Sequence, residues 1–305
     1  MPDTRVGAIV GPTAVGKSEV SLAVAEKLGA EIVSVDSMQV YRGMDVGTAK
    51  VTPQERRGIP HHLLDLKDPS EEVTVAEFRD LARAAIADIS GRGKLPLLVG
   101  GSGLYFRAVV DDLDFPARST DVRATLEQEA ETLGAEVLHA RLSEIDPKAA
   151  AKIEPGNARR TIRALEAIEV TGRLFSDNDA WDTYVSVYDL RVAGLTRSRD
   201  DLFARIEKRI DAMLSDGLEA EAKALVNPSR TARQALGYRQ ILDMADAPVS
   251  DVRDEIVRAT KRFARRQESW FKADPRVRWL PADATDVSET VADHLASSNS
   301  WIEGA

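Results

Sequence analysis

The sequence of 305 residues contains no cysteine, only four histidines and no long uninterrupted apolar run. The lack of cysteine excludes disulfide bonds, thiolate catalysis and cysteine-ligated zinc, so a cation held by oxygen ligands is the metal site that stays open. No stretch approaches the roughly 18 apolar residues that span a bilayer, and the first ten residues lack the basic start and apolar core of a signal peptide. We therefore expect a cytoplasmic protein without membrane contact.

Charge is unevenly distributed along the chain. The formal net charge of −9 disfavours a nucleic-acid partner, because phosphates attract a basic surface. However, residues 111–146 hold ten acidic and three basic side chains, whereas residues 253–278 hold nine basic and four acidic ones. A basic patch can therefore exist on this acidic protein, although a charge run taken alone favours a solvated face.

A phosphate-binding motif follows the first predicted strand. Residues 11–18, GPTAVGKS, fit the pattern GxxxxGK[ST] between a strand and the start of a helix, which is the context that this motif requires. The glycines let backbone N–H groups surround phosphate oxygens, and the helix N-terminus adds a partial positive charge. Lys17 supplies a full charge, and Ser18 can bind Mg²⁺. The motif predicts a site for a diphosphate or triphosphate group without identifying the molecule that carries it.

Apolar periodicity predicts an α/β fold: a P-loop NTPase-like parallel sheet core flanked by helices, with a helical insertion domain. The predicted domains are residues 1–115 (first part of the core), 116–185 (insertion) and 186–305 (second part, with a basic C-terminal helix). Residues 120–171 are helical in pattern, with breaks at Gly134, Pro147 and Pro155. Strands are predicted at 6–10, 31–35, 95–99, 187–195 and 277–280, and further helices at 75–89, 198–225 and 250–272.

Asp36 follows the second predicted strand, beside the P-loop. An aspartate at such a place more often forms a turn or a helix cap, but the neighbouring phosphate site favours a role in which Asp36 faces a second substrate. Segment 36–50, DSMQVYRGMDVGTAK, is long and irregular and carries groups that can contact a base, as binding loops do. The third strand ends in glycines rather than in a magnesium-binding aspartate, which disfavours ATP hydrolysis.

Seven blocks of the sequence stand out in order along the chain. They are GPTAVGKS at 11–18, DSMQVYRGMDVGTAK at 36–50, HHLLD at 61–65, GGSGLY at 100–105, RRTIRALE at 159–166, RQALGYRQ at 233–240 and ATKRFARRQESWF at 259–271. These blocks resemble the signature blocks of the tRNA dimethylallyltransferases, also called tRNA isopentenyltransferases or the IPP transferase family, from about residue 6 to residue 280. The resemblance implies transfer of a dimethylallyl group from dimethylallyl diphosphate to N6 of the adenine 3′-adjacent to the anticodon, in tRNAs that read codons beginning with U.

The resemblance also implies roles for individual residues. It places catalysis on Asp36, Thr13 and Arg233, and the expected cofactor, Mg²⁺, at Ser18. Asp36 would accept a proton from the attacking amine, while loop amides, Lys17, Mg²⁺ and Arg233 would stabilise the departing diphosphate. The implied diphosphate-binding residues are Gly11, Pro12, Thr13, Ala14, Val15, Gly16, Lys17, Ser18 and Arg233.

The expected partners are dimethylallyl diphosphate and the anticodon stem-loop of tRNA, bound by a monomer. Spacing alone gives the arginines of block 159–166 a solvated face as readily as an RNA contact. Phe263 and Trp270 fit the apolar face of helix 250–272 and are expected in the core, and His61 and His62 are expected to pack and hydrogen-bond. The implied tRNA-binding residues are Asp36, Ser37, Met38, Gln39, Ser102, Arg123, Arg159, Arg160, Arg163, Arg262, Arg265 and Arg266.

Three alternatives stay open on the sequence alone. An isopentenyltransferase acting on free adenine nucleotides would have less need of the insertion and of the basic helix. A P-loop small-molecule kinase would hydrolyse ATP or transfer its γ-phosphate, and an RNA-binding P-loop module that senses a nucleotide would not catalyse a reaction. The insertion and the basic helix favour the tRNA-modifying enzyme.

Overall fold

The computed structural model describes residues 4–116, 118–177, 181 and 183–297. Within these residues one parallel sheet has the strand order β3-β2-β4-β1-β5-β6. The predicted parallel core is therefore confirmed, and the short β3 is an addition to it. The strands are β1 Arg5–Val10, β2 Ala30–Ser34, β3 His61–His62, β4 Leu95–Gly100, β5 Asp189–Thr196 and β6 Val277–Pro281.

The helices predicted after the P-loop and over 75–89, 120–171 and 250–272 are present, whereas those at Gly103–Val110, Arg230–Arg233, Tyr238–Asp243 and Val287–Ala296 were not predicted. The helix predicted over 198–225 is broken, because Gly217 adopts a φ of 97° that a continuous α-helix does not allow. In chain order the helices are α1 Lys17–Leu28, α2 Val75–Gly91, α3 Gly103–Val110, α4 Thr120–Leu133, α5 Ala135–Ile145, α6 Pro147–Ala150, α7 Ala158–Thr171, α8 Arg199–Ser215, α9 Leu218–Lys223, α10 Arg230–Arg233, α11 Tyr238–Asp243, α12 Val249–Lys272 and α13 Val287–Ala296.

The central strands β1 and β4 are apolar along most of their length and nearly all of their residues are buried. Such continuous apolar runs are typical of parallel strands whose two faces are both covered by helices. Around the sheet, α1 packs against α13, α2 against α3, and α8 against α12. In the described part of the chain, no helix has the length and apolar character that a membrane span requires.

The chain divides into two compact units. One comprises the residues up to Val110 together with those from Ser186 onward, and the other is Asp111–Val185, which begins five residues before the predicted insertion. The second unit contains helices α4 to α7, with breaks at the predicted Gly134, Pro147 and Pro155. Its own hydrophobic cluster includes Leu126, Leu138, Leu142, Ile162 and Leu165.

A buried carboxylate pairs with two arginines of this second unit. Glu166 is completely buried, and its Oε2 lies 3.0 Å from Nη1 of Arg163 and 3.4 Å from Nη1 of Arg123. Its Oε1 accepts a hydrogen bond from the N–H of Ser119, the N-cap residue of α4, at 3.1 Å. Two of the arginines predicted to bind tRNA therefore already have a partner inside the protein.

We expect Glu166→Gln to lower the free energy of unfolding by about 3 kcal/mol or more, because two guanidinium groups would lose their buried counter-charge. Urea denaturation followed by circular dichroism measures this change. Glu169→Gln is the matched control, since Glu169 lies on the same helix and is exposed. Equal stability of the two variants would contradict the structural role of Glu166.

Candidate active site

The P-loop connects β1 to α1. Gly11 and Gly16 have φ values of 144° and 113°, which residues with side chains rarely adopt. Gly11 is further constrained by β5, because a Cβ there would lie 2.7 Å from the carbonyl oxygen of Leu195. The N-cap residue of α1 is Gly16, which has no side chain to cap the helix. The first N–H groups of α1 are therefore left for an anion, as the motif predicts.

Cationic side chains hold the carbonyl groups of the P-loop. Lys17 Nζ donates to the carbonyl oxygens of Gly11 and Pro12, at 2.9 and 2.8 Å. Arg205 and Arg197 donate through Nε to the carbonyl oxygens of Ala14 and Val15, each at 2.9 Å. The loop is thus fixed in shape by donors from its own helix and from the segment that follows β5.

A cavity opens beside the P-loop, at the carboxyl ends of β2 and β4, where parallel sheets commonly place their ligands. It brings together five residues predicted from the sequence: Thr13, Lys17, Ser18, Asp36 and Gln39. Three further side chains, Arg209 from α8 and Phe263 and Gln267 from α12, line it although they were not predicted as part of the site. Ser34, Thr48, Ala49, His61, Val99, Gly100 and Gly101 also contribute to its lining.

Three charged groups in the cavity influence one another. Burial and the positive charge of Arg209 lower the pKa of Lys17 to about 7, although the carboxylate of Asp36 acts in the opposite direction. Burial also lowers the pKa of Arg209, which Asp36 again opposes. Two cations face one carboxylate, so the cavity carries a positive charge that an anionic ligand would neutralise.

Asp36 serves both in a turn and in the cavity. Its Oδ1 accepts a hydrogen bond from the N–H of Met38 at 2.9 Å, which is the local turn that an aspartate commonly forms. Its other carboxylate oxygen has no hydrogen-bond partner among the residues that the structure describes. The turn therefore orients the side chain while one oxygen remains able to accept a proton.

Segment 36–50 is anchored at its far end by Glu221 of α9. The Glu221 carboxylate accepts hydrogen bonds from the backbone N–H groups of Asp45, Val46 and Gly47 at 2.9, 2.9 and 3.0 Å, and from the hydroxyl of Tyr238. A Cβ on Gly47 would lie 2.3 Å from the Tyr238 ring. The block 233–240 thus holds this segment in place through Tyr238.

Arg233, the predicted diphosphate ligand of that block, does not line the cavity. Its Nη1 lies 2.8 Å from Oδ1 of Asp243, and 44% of its side chain is exposed. Arg209 is instead the arginine beside Lys17. Sequence reasoning missed Arg209 because it belongs to none of the seven blocks. Diphosphate binding by Arg233 stays a prediction.

The adjacent histidines His61 and His62 differ in their surroundings. His61 lines the cavity, and its Nδ1 lies 2.9 Å from the carbonyl oxygen of Ile59. Burial lowers the pKa of His61, which favours its neutral form. His62 Nε2 lies 2.8 Å from the buried carboxylate of Glu31. Both therefore pack and hydrogen-bond as expected, but only His61 reaches the cavity.

The expectation that Phe263 and Trp270 are core residues is wrong. Phe263 is half-buried and lines the cavity, and Trp270 is 37% exposed. Trp270 lies against Gly103, where a Cβ would be 2.0 Å from its ring. The apolar period of α12 indicates a shared face, but it does not distinguish a face that meets the core from one that meets a cavity.

The other predicted residues differ in their surroundings. Val15 is completely buried and Met38 packs against the core, while the carbonyl of Ser102 accepts the N–H of Phe106 at the start of α3. On α12, Arg262 pairs with Glu255, and Arg265 and Arg266 lie over phenylalanine rings. The exposed predicted tRNA contacts are Arg159, Arg160, Arg262, Arg265 and Arg266.

Comparison with known proteins adds an independent finding. The family model described as IPP transferase matches residues 39–274. The chain is 50% identical over 294 residues to the tRNA dimethylallyltransferase of Streptomyces coelicolor, with 94% of each chain covered. It is 45% identical to that of Geobacillus kaustophilus, with 94% of this chain and 93% of the relative covered.

Solved structures agree with this assignment. The tRNA isopentenylpyrophosphate transferase of Bacillus halodurans is 42% identical, with a TM-score of 0.70 and 96% and 97% of the two chains covered. A eukaryotic dimethylallyltransferase acting on tRNA is 29% identical, with a TM-score of 0.78, and the match covers 96% of this chain and 77% of the other. The chain therefore belongs to the IPP transferase family.

Proposed function

We propose that the protein transfers a dimethylallyl group from dimethylallyl diphosphate to N6 of the adenine 3′-adjacent to the anticodon, in tRNAs that read codons beginning with U. Relatives named tRNA dimethylallyltransferase, aligned over nearly their full length, support prenyl transfer to tRNA. The observation at the site that carries the proposal is the carboxylate of Asp36 in one cavity with the P-loop residues Lys17 and Ser18.

The adenine amine needs assistance because its lone pair is delocalised into the ring. In the proposed reaction N6 forms a bond to C1 of the dimethylallyl group, and the C1–O bond breaks. Diphosphate leaves with the electron pair of that bond. The Asp36 oxygen that is not bonded to the Met38 N–H accepts the N6 proton as the new bond forms.

The leaving diphosphate is stabilised by donors that are already in place. P-loop amides, Lys17 and Arg209 surround the position next to Asp36, and one such preorganised donor contributes about 3–4 kcal/mol to lowering a barrier. Burial destabilises the charged forms of Lys17 and Arg209. A bound diphosphate would offset this cost, because its negative charge stabilises both cations.

Magnesium is the proposed cofactor. The described residues contain no group of three or more His, Cys, Asp or Glu side chains that could hold a metal ion, so these residues do not by themselves enclose a cation. The residues nonetheless fit Mg²⁺, because this ion keeps several waters and binds through few protein oxygens together with substrate phosphates. Ser18 would supply the protein oxygen. When bound there, Mg²⁺ would neutralise part of the charge that develops on the leaving diphosphate.

The tRNA is proposed to contact exposed arginines on both units. Phosphate contacts position an RNA without reading its sequence, which suits flexible, exposed guanidinium groups. Arg123 and Arg163 remain predicted contacts, although both bind Glu166. A cytoplasmic monomer is the proposed state of the enzyme. The exposed candidates are Arg159, Arg160, Arg262, Arg265 and Arg266.

Label transfer tests the proposed function. Radiolabelled dimethylallyl diphosphate is incubated with the protein and Mg²⁺, in separate reactions with unmodified tRNA and with AMP. We expect label in tRNA and none in AMP. Label in AMP would indicate the nucleotide-modifying enzyme, and transfer of the γ-phosphate of ATP to a small molecule would indicate a kinase.

We expect Asp36→Asn to lower kcat by about 10²- to 10⁴-fold, because the amide cannot accept the proton. The amide oxygen can still accept the Met38 N–H, so the turn and the affinity for tRNA should persist. Single-turnover label transfer and a filter-binding assay measure the two quantities. Asp68→Asn is the control, because Asp68 forms the same kind of turn with Ser70 on the surface. Near-normal kcat in Asp36→Asn would remove Asp36 from catalysis.

Arg209→Met should weaken the binding of dimethylallyl diphosphate by about 10- to 100-fold, because a hydrogen bond between charged groups would be lost. Isothermal titration calorimetry without tRNA measures this affinity. Lys208→Met, the removal of an exposed cation from the neighbouring position, serves as control. Arg233→Met in the same experiment tests the sequence-based assignment. An unchanged affinity in Arg209→Met, with a large loss in Arg233→Met, would reverse the roles proposed for the two arginines.

The affinity for dimethylallyl diphosphate should fall as the pH rises above about 7. The pKa of Lys17 is about 7 in the free protein, so Lys17 is largely neutral at higher pH and must take up a proton when the anion binds. Between pH 7 and the ordinary lysine value the affinity should fall by up to about tenfold per pH unit. Calorimetry in two buffers of different ionisation enthalpy counts the protons taken up. Equal uptake in Lys17→Met would contradict the assignment.

A further inference from the structure

One buried carboxamide joins two loops that line the cavity. Gln267 lies on α12 and is 7% exposed. Its Oε1 accepts a hydrogen bond from the N–H of Thr13 in the P-loop at 2.8 Å, and its Nε2 donates to the carbonyl oxygen of Gly101 at 2.9 Å. The P-loop follows β1, whereas Gly101 belongs to the glycine loop, residues 100–103, at the end of β4. A single side chain therefore bridges the ends of two neighbouring strands.

The two bonds require a group that accepts and donates at the same time. A carboxylate cannot donate, an ammonium or guanidinium group cannot accept, and a thioether is only a weak acceptor. The available space is equally restrictive, because a Cβ on Gly101 would lie 2.2 Å from Nε2 of Gln267. Glycine at position 101 thus permits the close approach of this side chain.

A second contact from the same helix fixes the glycine loop. Trp270 lies three residues after Gln267, and residues with this spacing share a helix face. Its ring rests on Gly103, where a Cβ would lie 2.0 Å away. The arginines of α12 predicted to bind RNA are exposed, whereas Gln267 and Phe263 line the cavity. The helix therefore serves the site through an uncharged face.

We propose that Gln267 is a positioning residue that holds the P-loop and the glycine loop at the separation at which the diphosphate donor meets the adenine acceptor. This inference rests on the proposed function. The bridge commits the N–H of Thr13 to the protein, so that Thr13 faces the ligand through its side chain. Because transfer requires the reacting atoms to be close and aligned, a shift of about 1 Å between the loops would slow the reaction about 100-fold.

Gln267→Met removes both hydrogen bonds while keeping the length of the side chain. We expect kcat for transfer to tRNA to fall about 10- to 100-fold, while the Kd of dimethylallyl diphosphate and that of tRNA, each measured alone, change by less than about threefold. Gln54→Met is the control, because Gln54 is exposed. A kcat within twofold of the wild type would overturn the proposal. The proposal would also be overturned if the variant lost activity only because it bound dimethylallyl diphosphate or tRNA more weakly.

Hydrogen exchange provides a measurement that does not depend on activity. In Gln267→Met the amides of residues 11, 13–16 and 100–103 should exchange faster, whereas Gln54→Met should match the wild type. Unchanged exchange in both loops would overturn the bridge. If the wild-type protein transfers no label to tRNA, the proposed function fails, while the exchange measurement still decides whether the bridge exists.

Gln267→Glu separates a hydrogen-bonding role from simple filling of space. At neutral pH the introduced carboxylate accepts from the Thr13 N–H but cannot donate to Gly101, and its charge repels the diphosphate. A protonated carboxyl group regains a donor and an acceptor. The kcat of Gln267→Glu relative to wild type should therefore rise as the pH falls, whereas that of Gln267→Met should not. A pH-independent ratio for Gln267→Glu would contradict the positioning role.

Discussion

A loop that surrounds a phosphate with its amides must turn carbonyl groups elsewhere, and each of these carbonyls needs a donor. In this protein cations from two places supply the donors. Lys17 binds two carbonyl groups from within, and Arg197 and Arg205 bind two more from the segment after β5. Helix α8 must therefore lie against the P-loop. Arg209 follows Arg205 by one turn on the same face, so the support of the loop also brings a second cation into the cavity.

The position of α8 places Arg209 beside Lys17 in a cavity where both cations are largely removed from water. Burial disfavours the charged state of both Lys17 and Arg209, the charge of Arg209 adds to this effect at Lys17, and the carboxylate of Asp36 opposes it at both. The site is thus suited to an anionic ligand, whose binding would restore the charge balance. Further hydrogen bonds give the cavity its shape: Gln267 ties the P-loop to the glycine loop, and the Glu221 carboxylate, which also accepts from the Tyr238 hydroxyl, holds segment 36–50. Charge provides the attraction, and hydrogen bonds provide the geometry.

Several features of the fold and the site could be predicted because they depend on neighbours in the sequence. The P-loop and the helical insertion could be predicted from local patterns. The presence of Asp36 in the cavity could be predicted because Asp36 lies just after the end of a strand. The break at Gly217 was missed because an isolated glycine in an apolar helical pattern is often tolerated. Phe263 and Trp270 were assigned to the core because periodicity reports a common face and not what that face meets.

By itself, the sequence determined the parallel core, the P-loop and the carboxylate that lies beside it, because strand alternation and glycine conformation are local properties. Only the tertiary structure decided which distant side chains complete the site. Arg209 and Gln267 enter the cavity from α8 and α12, and Arg233 turns to Asp243 instead. The physical reason is that the burial and hydrogen bonding of a side chain depend on helices packed from remote parts of the chain, which periodicity along one segment does not encode.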